Sequence, residues 1–454
     1  MSVEKTIFSH PAGLFVLSFT EMWERLSYYG MSAIFLLYLL DSSTVAAMGW
    51  ITMETDWISK NAFSIVGWYL MFVYVTPLLG GYIADRYWGQ RRSIMVGGFM
   101  MMVGKFLLAT PFAWISGHEV SFLWGGIALS VLGNGFFKPN ISSLVGDLYA
   151  PDDTRRDAAF TIFYMGINLG AFLAFTGIGY IGEAINFQLA FIVTGIGMLL
   201  GLVIQYFFAP KTLGDIGVHP KYKSKISSEN ISYRLSSEEL RSIAIILGFS
   251  FLSIIFWTGF EQSTGSLTTF AKHETDLIIM GFEVPASWLR AINPFFIFLF
   301  APLISVIWMR MGQNQPGSFI KYAIGFLILG ITFLFPAIAA DNILQTGEKS
   351  PIFWLILTYC IMTIAEICIS PVGLSVVSSF SPARCLGVMM GVWFLCAGLG
   401  GKLSAYIGGF IVDYGYVTVF LGTSLFCFAV FIFMVISYFI YRKFFVLEDG
   451  GKLV

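Results

Sequence analysis

Long apolar runs alternate with short polar breaks along most of the chain. Runs near residues 14–40, 61–84, 93–115, 121–149, 157–181 and 187–208 each reach the roughly 20 residues that an α-helix needs to cross a bilayer. After a polar stretch they resume near 241–271, 286–309, 319–340, 351–380, 384–410 and 415–441. The pattern predicts twelve membrane-spanning helices in two sets of six. Between the sets, residues 209–240 hold Pro210, Pro220, several lysines and serines, and no apolar periodicity. The expected organisation is therefore a six-helix bundle over 1–208, a cytoplasmic linker over 209–240 and a second six-helix bundle over 241–454. Ser236 and Glu239 have the spacing of a capping box and predict the start of the seventh helix there.

Composition agrees: 57% of residues are hydrophobic and 12% charged, against about 25% charged in soluble domains. The chain reads as an all-α integral membrane protein. Its first run is too long for a signal-peptide core and lacks a small-residue cleavage pattern, so it is expected to stay in the mature protein. An even number of spans puts both termini on one side. Arg86, Arg91, Arg92, Arg155, Arg156, Lys211, Lys221, Lys223, Lys225, Arg234, Arg241, Arg310, Lys321, Arg384, Arg442 and Lys443 fall in alternate connections or near the ends. The other connections offer Lys60, Lys272, Arg290 and Lys349, so the termini are expected in the cytoplasm. A net charge of −1 gives no reason to expect nucleic acid as a partner. Cys360, Cys368, Cys385, Cys396 and Cys427 lie in or beside apolar runs without metal-ligand spacing, and no cofactor is implied. His10, His118, His219 and His273 all lie outside the predicted spans, so intramembrane proton chemistry must rest on carboxylates.

Several polar positions interrupt the apolar runs. In EMWERLSYYG, Glu21, Glu24, Arg25 and Tyr28 stand at i, i+3, i+4 and i+7, one stripe of one helix. A charge at mid-bilayer costs about 2.5 to 3.5 kcal/mol on insertion scales, and such groups pair and mark substrate or proton pathways. Glu21 and Arg25, one turn apart, can pair directly. Lys138 in GNGFFKPN precedes Pro139, which cannot donate to the Gly135 carbonyl, so the helix is expected to bend there with a buried cation beside the bend. FYMGINLG sets Tyr164 and Asn168 on one face of the fifth span, where either could serve simply as interhelical glue. Tyr69 is a weaker candidate on the second span. The second half offers Trp257 and Glu261 one turn apart, Asn293 beside Pro294, Glu366 five residues before Pro371, and Trp393. Lys105 and Lys402 also interrupt apolar stretches and are expected to snorkel to the interface.

Cations in the first half and acids in both suit a zwitterionic ligand: carboxylate on Arg25 and Lys138, ammonium on Glu366. GGYIADRYWGQRR, between the second and third spans, is read as a gating loop that carries Asp85 and Arg86. Two six-helix halves on a basic linker suggest the major facilitator fold, with its substrate site at mid-membrane between halves.

Taken in order, EMWERLSYYG, GGYIADRYWG, GNGFFKPN, FYMGINLGAF and the Glu261 and Glu366 segments resemble the proton-coupled oligopeptide transporter family. The match runs along nearly the whole chain. The resemblance implies a symporter that imports di- and tripeptides with protons by alternating access. It implies a monomer in the cell membrane, the inner membrane of a bacterium. It implies peptide carboxylate binding at Arg25 and Lys138 and peptide amine binding at Glu366. Further contacts would come from Tyr28, Tyr69, Asn168 and Asn293, with Trp257 and Trp393 lining the cavity, and proton coupling through Glu21, Glu24, Arg25 and Glu261. Leu26 departs from the usual Phe of the ExxERFxYYG signature. Ser32 stands where many bacterial relatives carry a cation that can pair with the acid on the seventh helix, so Glu261 is expected to find another partner. The two-helix insertion common in bacterial members is missing from 209–240.

Competing readings keep the fold and change the cargo, to nitrate or another small anion or to drugs in exchange for protons. A further reading is a sensor that binds without transport. No nucleophile and base can be assembled at one membrane depth, so the chain is not expected to be an enzyme.

Overall fold

The computed structural model describes residues 6–150, 153, 155–220, 236–382 and 386–445. Its long helices are α1 (Ala12–Leu40), α2 (Thr55–Ile83), α3 (Gln90–Ala109), α4 (Glu119–Asp147), α5 (Arg156–Leu173) and α6 (Phe187–Leu213). The second set is α7 (Ser237–Phe260), α8 (Trp288–Met311), α9 (Ser318–Thr346), α10 (Phe353–Phe380), α11 (Leu386–Gly409) and α12 (Ile411–Phe445). Eleven stretches among the described residues are long and apolar enough to cross a membrane. The first helix is equally long, but Glu21, Glu24 and Arg25 lower its hydropathy. The fold is the all-α, twelve-helix architecture expected.

Boundaries follow local chemistry. Helix α3 stops at Ala109 rather than running on to 115, because Thr110 precedes Pro111 and is driven into an extended conformation (ψ 126°). Helix α5 does not end at Leu173; two π-helical turns, Ala174–Ile178 and Ile181–Ile185, extend the segment toward Asn186. Asn186 then caps α6 by accepting from the Leu189 N–H at 3.1 Å. Helix α7 starts at the expected capping box, with Ser236 and Glu239 each satisfying the other's backbone N–H. The GGYIADRYWGQRR segment is less of a loop than its charges suggested. Ala84–Trp88 forms a π-helical turn continuing α2, and the chain reverses at Gly89, whose φ of 78° favours glycine. Residues 221–235 of the linker, with Lys221, Lys223, Lys225 and Arg234, lie outside the described residues, as do Arg384 and Cys385.

The chain divides into two compact units, Met1–Ile58 with Trp68–Ser232, and Ser59–Gly67 with Tyr233–Val454. In the first, α3 and α4 approach through glycines: a Cβ on Gly97 would lie 2.5 Å from the Gly133 carbonyl oxygen. Gly80 of α2 meets Gly135 of α4 just as closely, backbone against backbone. Only glycine allows this contact, and the Gly135 carbonyl is the one that Pro139 leaves without a donor. Asn140 occupies the neighbouring Phe136 carbonyl at 2.7 Å. In the second unit a core of Phe256, Phe270, Phe326, Phe333 and Phe420 is fully buried. That unit also takes in the start of α2. Lys60 pairs with Asp413 at 2.6 Å, and Gly67 lies against Ala405.

Candidate functional site

Helix α1 carries the charged centre of the first unit. Arg25 Nε lies 3.0 Å from Glu21 Oε1 and bonds Glu24 Oε2 as well, so one guanidinium serves two carboxylates from its own helix. All three residues are 2% exposed or less. The i, i+4 spacing places Glu21 beneath Arg25, and the adjacent Glu24 reaches the same nitrogen. Asn134 on α4 donates to the other oxygen of Glu24 at 3.3 Å. The guanidinium carbon sits 4.9 Å from the Tyr28 ring centroid and 5.9 Å from that of Tyr29. Tyr28 stacks on Tyr69 of α2 at 6.4 Å.

Two atoms of this cluster, Glu21 Oε2 and Arg25 Nη2, are buried without a hydrogen-bond partner. A buried, unpaired guanidinium N–H costs more than its bonds return unless something accepts from it, which suits an incoming carboxylate. Lys138, half-buried on α4, holds its Nζ 4.7 Å from the Tyr74 ring centroid. Asn168 is buried, but its amide donates to the Tyr164 carbonyl of its own helix at 3.0 Å. Tyr164 is 48% exposed. Asp85 and Arg86 are exposed at the end of α2, with Arg86 bonded to the Tyr82 hydroxyl at 2.9 Å.

Lys105 does not snorkel. It is fully buried on α3, its Nζ 2.6 Å from Met31 Sδ of α1. Its position about one turn before the end of α3 carries no local sequence signal that separates burial from an interfacial reach. Nearer the chain start, Arg155 bonds the Ser9 carbonyl at 2.8 Å and holds the Asp153 carboxyl down at about 2.

In the second unit Asn293 of α8 donates to Glu366 Oε2 of α10 at 2.8 Å. Thr363, one turn before Glu366, sits 3.1 Å from the same amide. The two sequence candidates are therefore brought together, with Thr363 as an unforeseen third member. Glu261 does not sit within a continuous seventh helix. Helix α7 ends at Phe260, Glu261–Ser263 forms a 3₁₀ turn, and helix resumes only over Ser266–Glu274. The run EQSTG, rich in weak helix formers, was the available signal.

The break frees backbone groups that lipid cannot satisfy, and neighbouring side chains satisfy them. Thr268 donates to the Ser263 carbonyl at 2.7 Å and the Tyr359 hydroxyl to that same oxygen at 3.4 Å, while Gln262 of the break donates outward to the Ser404 carbonyl of α11 at 3.0 Å. Thr264 donates to Glu261 Oε2 at 2.8 Å and accepts from Arg290 Nη2 at 2.9 Å. Arg290 was expected in an outer connection. Instead it is 8% exposed on the first turn of α8, because α8 begins at Trp288 and draws the guanidinium toward the break. Trp257 is half-buried with its indole N–H unpartnered, and Trp393 is buried with its ring against Gly373. Among the described residues no three His, Cys, Asp or Glu side chains gather in a way that could hold a metal ion.

Comparison with known proteins places these features in context. The model of the POT family matches residues 91–213 and 211–419. An uncharacterized transporter, YclF, of Bacillus subtilis is 33% identical over 89% of this chain and 89% of its own. A di-/tripeptide transporter of Lactococcus lactis subsp. cremoris is 30% identical over 89% of this chain and 90% of its own. Among solved structures, a peptide transporter POT in complex with sulfate superposes with a TM-score of 0.82 at 31% identity, covering 95% of this chain and 96% of that one.

Proposed function

Because this chain belongs to the POT family, we propose that it is a symporter that imports di- and tripeptides together with protons, by alternating access of its two six-helix halves. The peptide carboxylate goes to Arg25 and Lys138, and the peptide ammonium to Glu366. Tyr28, Tyr69, Asn168, Asn293, Trp257 and Trp393 shape and line the peptide's surroundings. Glu21, Glu24 and Glu261 take up and release the proton, while Asp85 and Arg86 belong to the gate on the cytoplasmic side. The protein works as a monomer in a bacterial inner membrane with both termini in the cytoplasm.

One observation carries this reading: Arg25 is held by two buried acids through its Nε yet keeps its Nη2 without an acceptor. An arriving carboxylate competes with Glu21 and Glu24 for the same guanidinium. It thereby weakens their hold on the cation and makes protonation of one of them less costly. A proton on Glu24 or Glu21 in turn frees Arg25 for the peptide. Mutual bias of this kind is all that coupling requires. The observed Asn293–Glu366 bond supports the other end, since an amide holds one carboxylate oxygen without bringing a counter-cation of its own.

Purified protein in liposomes is expected to accumulate labelled dialanine under an inward proton gradient. No accumulation above protein-free liposomes would refute the reading.

A further inference from the structure

The acid at the break after α7 has its counter-charge within its own unit. Arginine has only donors, so the 2.9 Å contact fixes Thr264 Oγ1 as the acceptor from Arg290. The single hydroxyl hydrogen of Thr264 is then left to point at Glu261 Oε2, 2.8 Å away. The chain Arg290 to Thr264 to Glu261 thus runs in one direction and ends on an oxygen that must accept. Such a chain gives a buried carboxylate oxygen the donor that lipid and the protein interior otherwise deny it. Thr264 is 4% and Arg290 8% exposed, so bulk water does little to screen it.

Other groups face Glu261 from each packed element. Helix α10 supplies the Tyr359 hydroxyl, bonded to the Ser263 carbonyl, and carries Glu366, bonded to Asn293. Helix α11 supplies the Ser404 carbonyl to Gln262 and carries Lys402, which lies against Gly67. The start of α2 brings Phe63 against Gly265. Arg290 from α8 is a cation that reaches Glu261 through the Thr264 hydroxyl.

We propose that Arg290 is a positioning residue for the proton step, holding Glu261 as an acceptor through the Thr264 hydroxyl. This rests on the reading that Glu261 takes part in proton coupling. A proton from outer water joins Glu261 Oε2, which then ceases to need the Thr264 donor. The hydroxyl turns away, Arg290 loses its anionic counterpart, and loss of the proton to inner water restores the chain. Arg290 and Asn293 stand three residues apart on α8, so the same turn holds Glu261 through Arg290 and Glu366 through Asn293. Helix α8 thereby links the proton acceptor to the proposed peptide-amine acceptor inside one unit.

The test compares Thr264→Val, Thr264→Ser and Arg290→Gln with Glu261→Gln in liposomes, reading gradient-driven dialanine uptake against external pH. Counterflow, which needs no proton gradient, reports whether each variant is folded. Thr264→Val and Arg290→Gln are expected to move the pH midpoint of uptake upward by about one unit, and Thr264→Ser to restore it. Should Arg290→Gln fail to fold, Thr264→Val against Thr264→Ser still decides. A wild-type midpoint in Thr264→Val, alongside loss of pH dependence in Glu261→Gln, overturns the proposal and spares the role of Glu261. Unchanged pH dependence in Glu261→Gln overturns both.

Discussion

Glu24 in the first unit and Glu366 in the second are both carboxylates within membrane-spanning helices, yet they are held in different ways. Glu24 bonds a full cation next to it in sequence, and that cation also serves Glu21. Glu366 is held by a neutral amide from another helix, and Glu261 is linked to Arg290 through the Thr264 hydroxyl. Direct pairing lowers the cost of burying a charge but commits both partners. Holding by neutral groups leaves the acid's charge available to something else. The first unit is thus built to exchange partners around Arg25, and the second to present an acid.

The largest effect is expected where direct pairing is broken. Arg25→Gln takes from Glu21 and Glu24 the guanidinium that both are paired with, and loss of one partner from a buried pair costs about 3 to 5 kcal/mol. Uptake and counterflow should both fall at least about 100-fold, with a lowered unfolding temperature in detergent. Wild-type counterflow in this variant would mean that Arg25 does not hold the peptide.

Glu366→Gln tests the other side of the comparison. Its side-chain carbonyl can still accept from Asn293, so the fold should survive while the site for an ammonium is lost. Dialanine counterflow should drop about 10- to 100-fold, as expected for a charge-assisted hydrogen bond of about 1.5 to 3 kcal/mol. Nitrate uptake that persists in the wild type and in this variant would instead favour the small-anion reading.

Glu24→Gln should separate binding from drive. Counterflow should stay within about threefold of wild type, because Glu21 still pairs with Arg25 at 3.0 Å. Gradient-driven accumulation should fall about tenfold or more. The smallest effect is expected at Lys60→Ala, which removes an exposed pair with Asp413 that is worth at most about 1 kcal/mol. A large loss there would show that a surface pair in the second unit matters as much as the buried ones.

The same comparison explains what could be read from the chain alone. Twelve spans were legible because lipid demands long apolar helices whatever their neighbours do. The Glu21–Arg25 pair was legible because helical spacing fixes it within one element. Lys105 and Arg290 were not, since burial of a long cationic side chain depends on where adjacent helices begin and how they pack. Arg290 sits two residues after the start of α8, and an apolar pattern places such a start only to within a few residues. The break at Glu261–Ser263 was hidden for a related reason. Its polar run EQSTG is short, and its partners come from three other helices: the Arg290 side chain of α8, the Tyr359 hydroxyl of α10 and the Ser404 carbonyl of α11. Asn293 and Glu366 were each singled out from sequence, but their contact crosses 73 residues and needs the fold.

The claim that buried acids couple peptide entry to proton entry is tested most directly by measuring both fluxes together. Liposomes with a trapped pH-sensitive dye, no initial pH difference and an interior-negative potential would be given external dialanine. The account predicts that the lumen acidifies in step with peptide entry, and that Glu24→Gln removes the acidification. Peptide accumulation in the wild type without any change in luminal pH would contradict it.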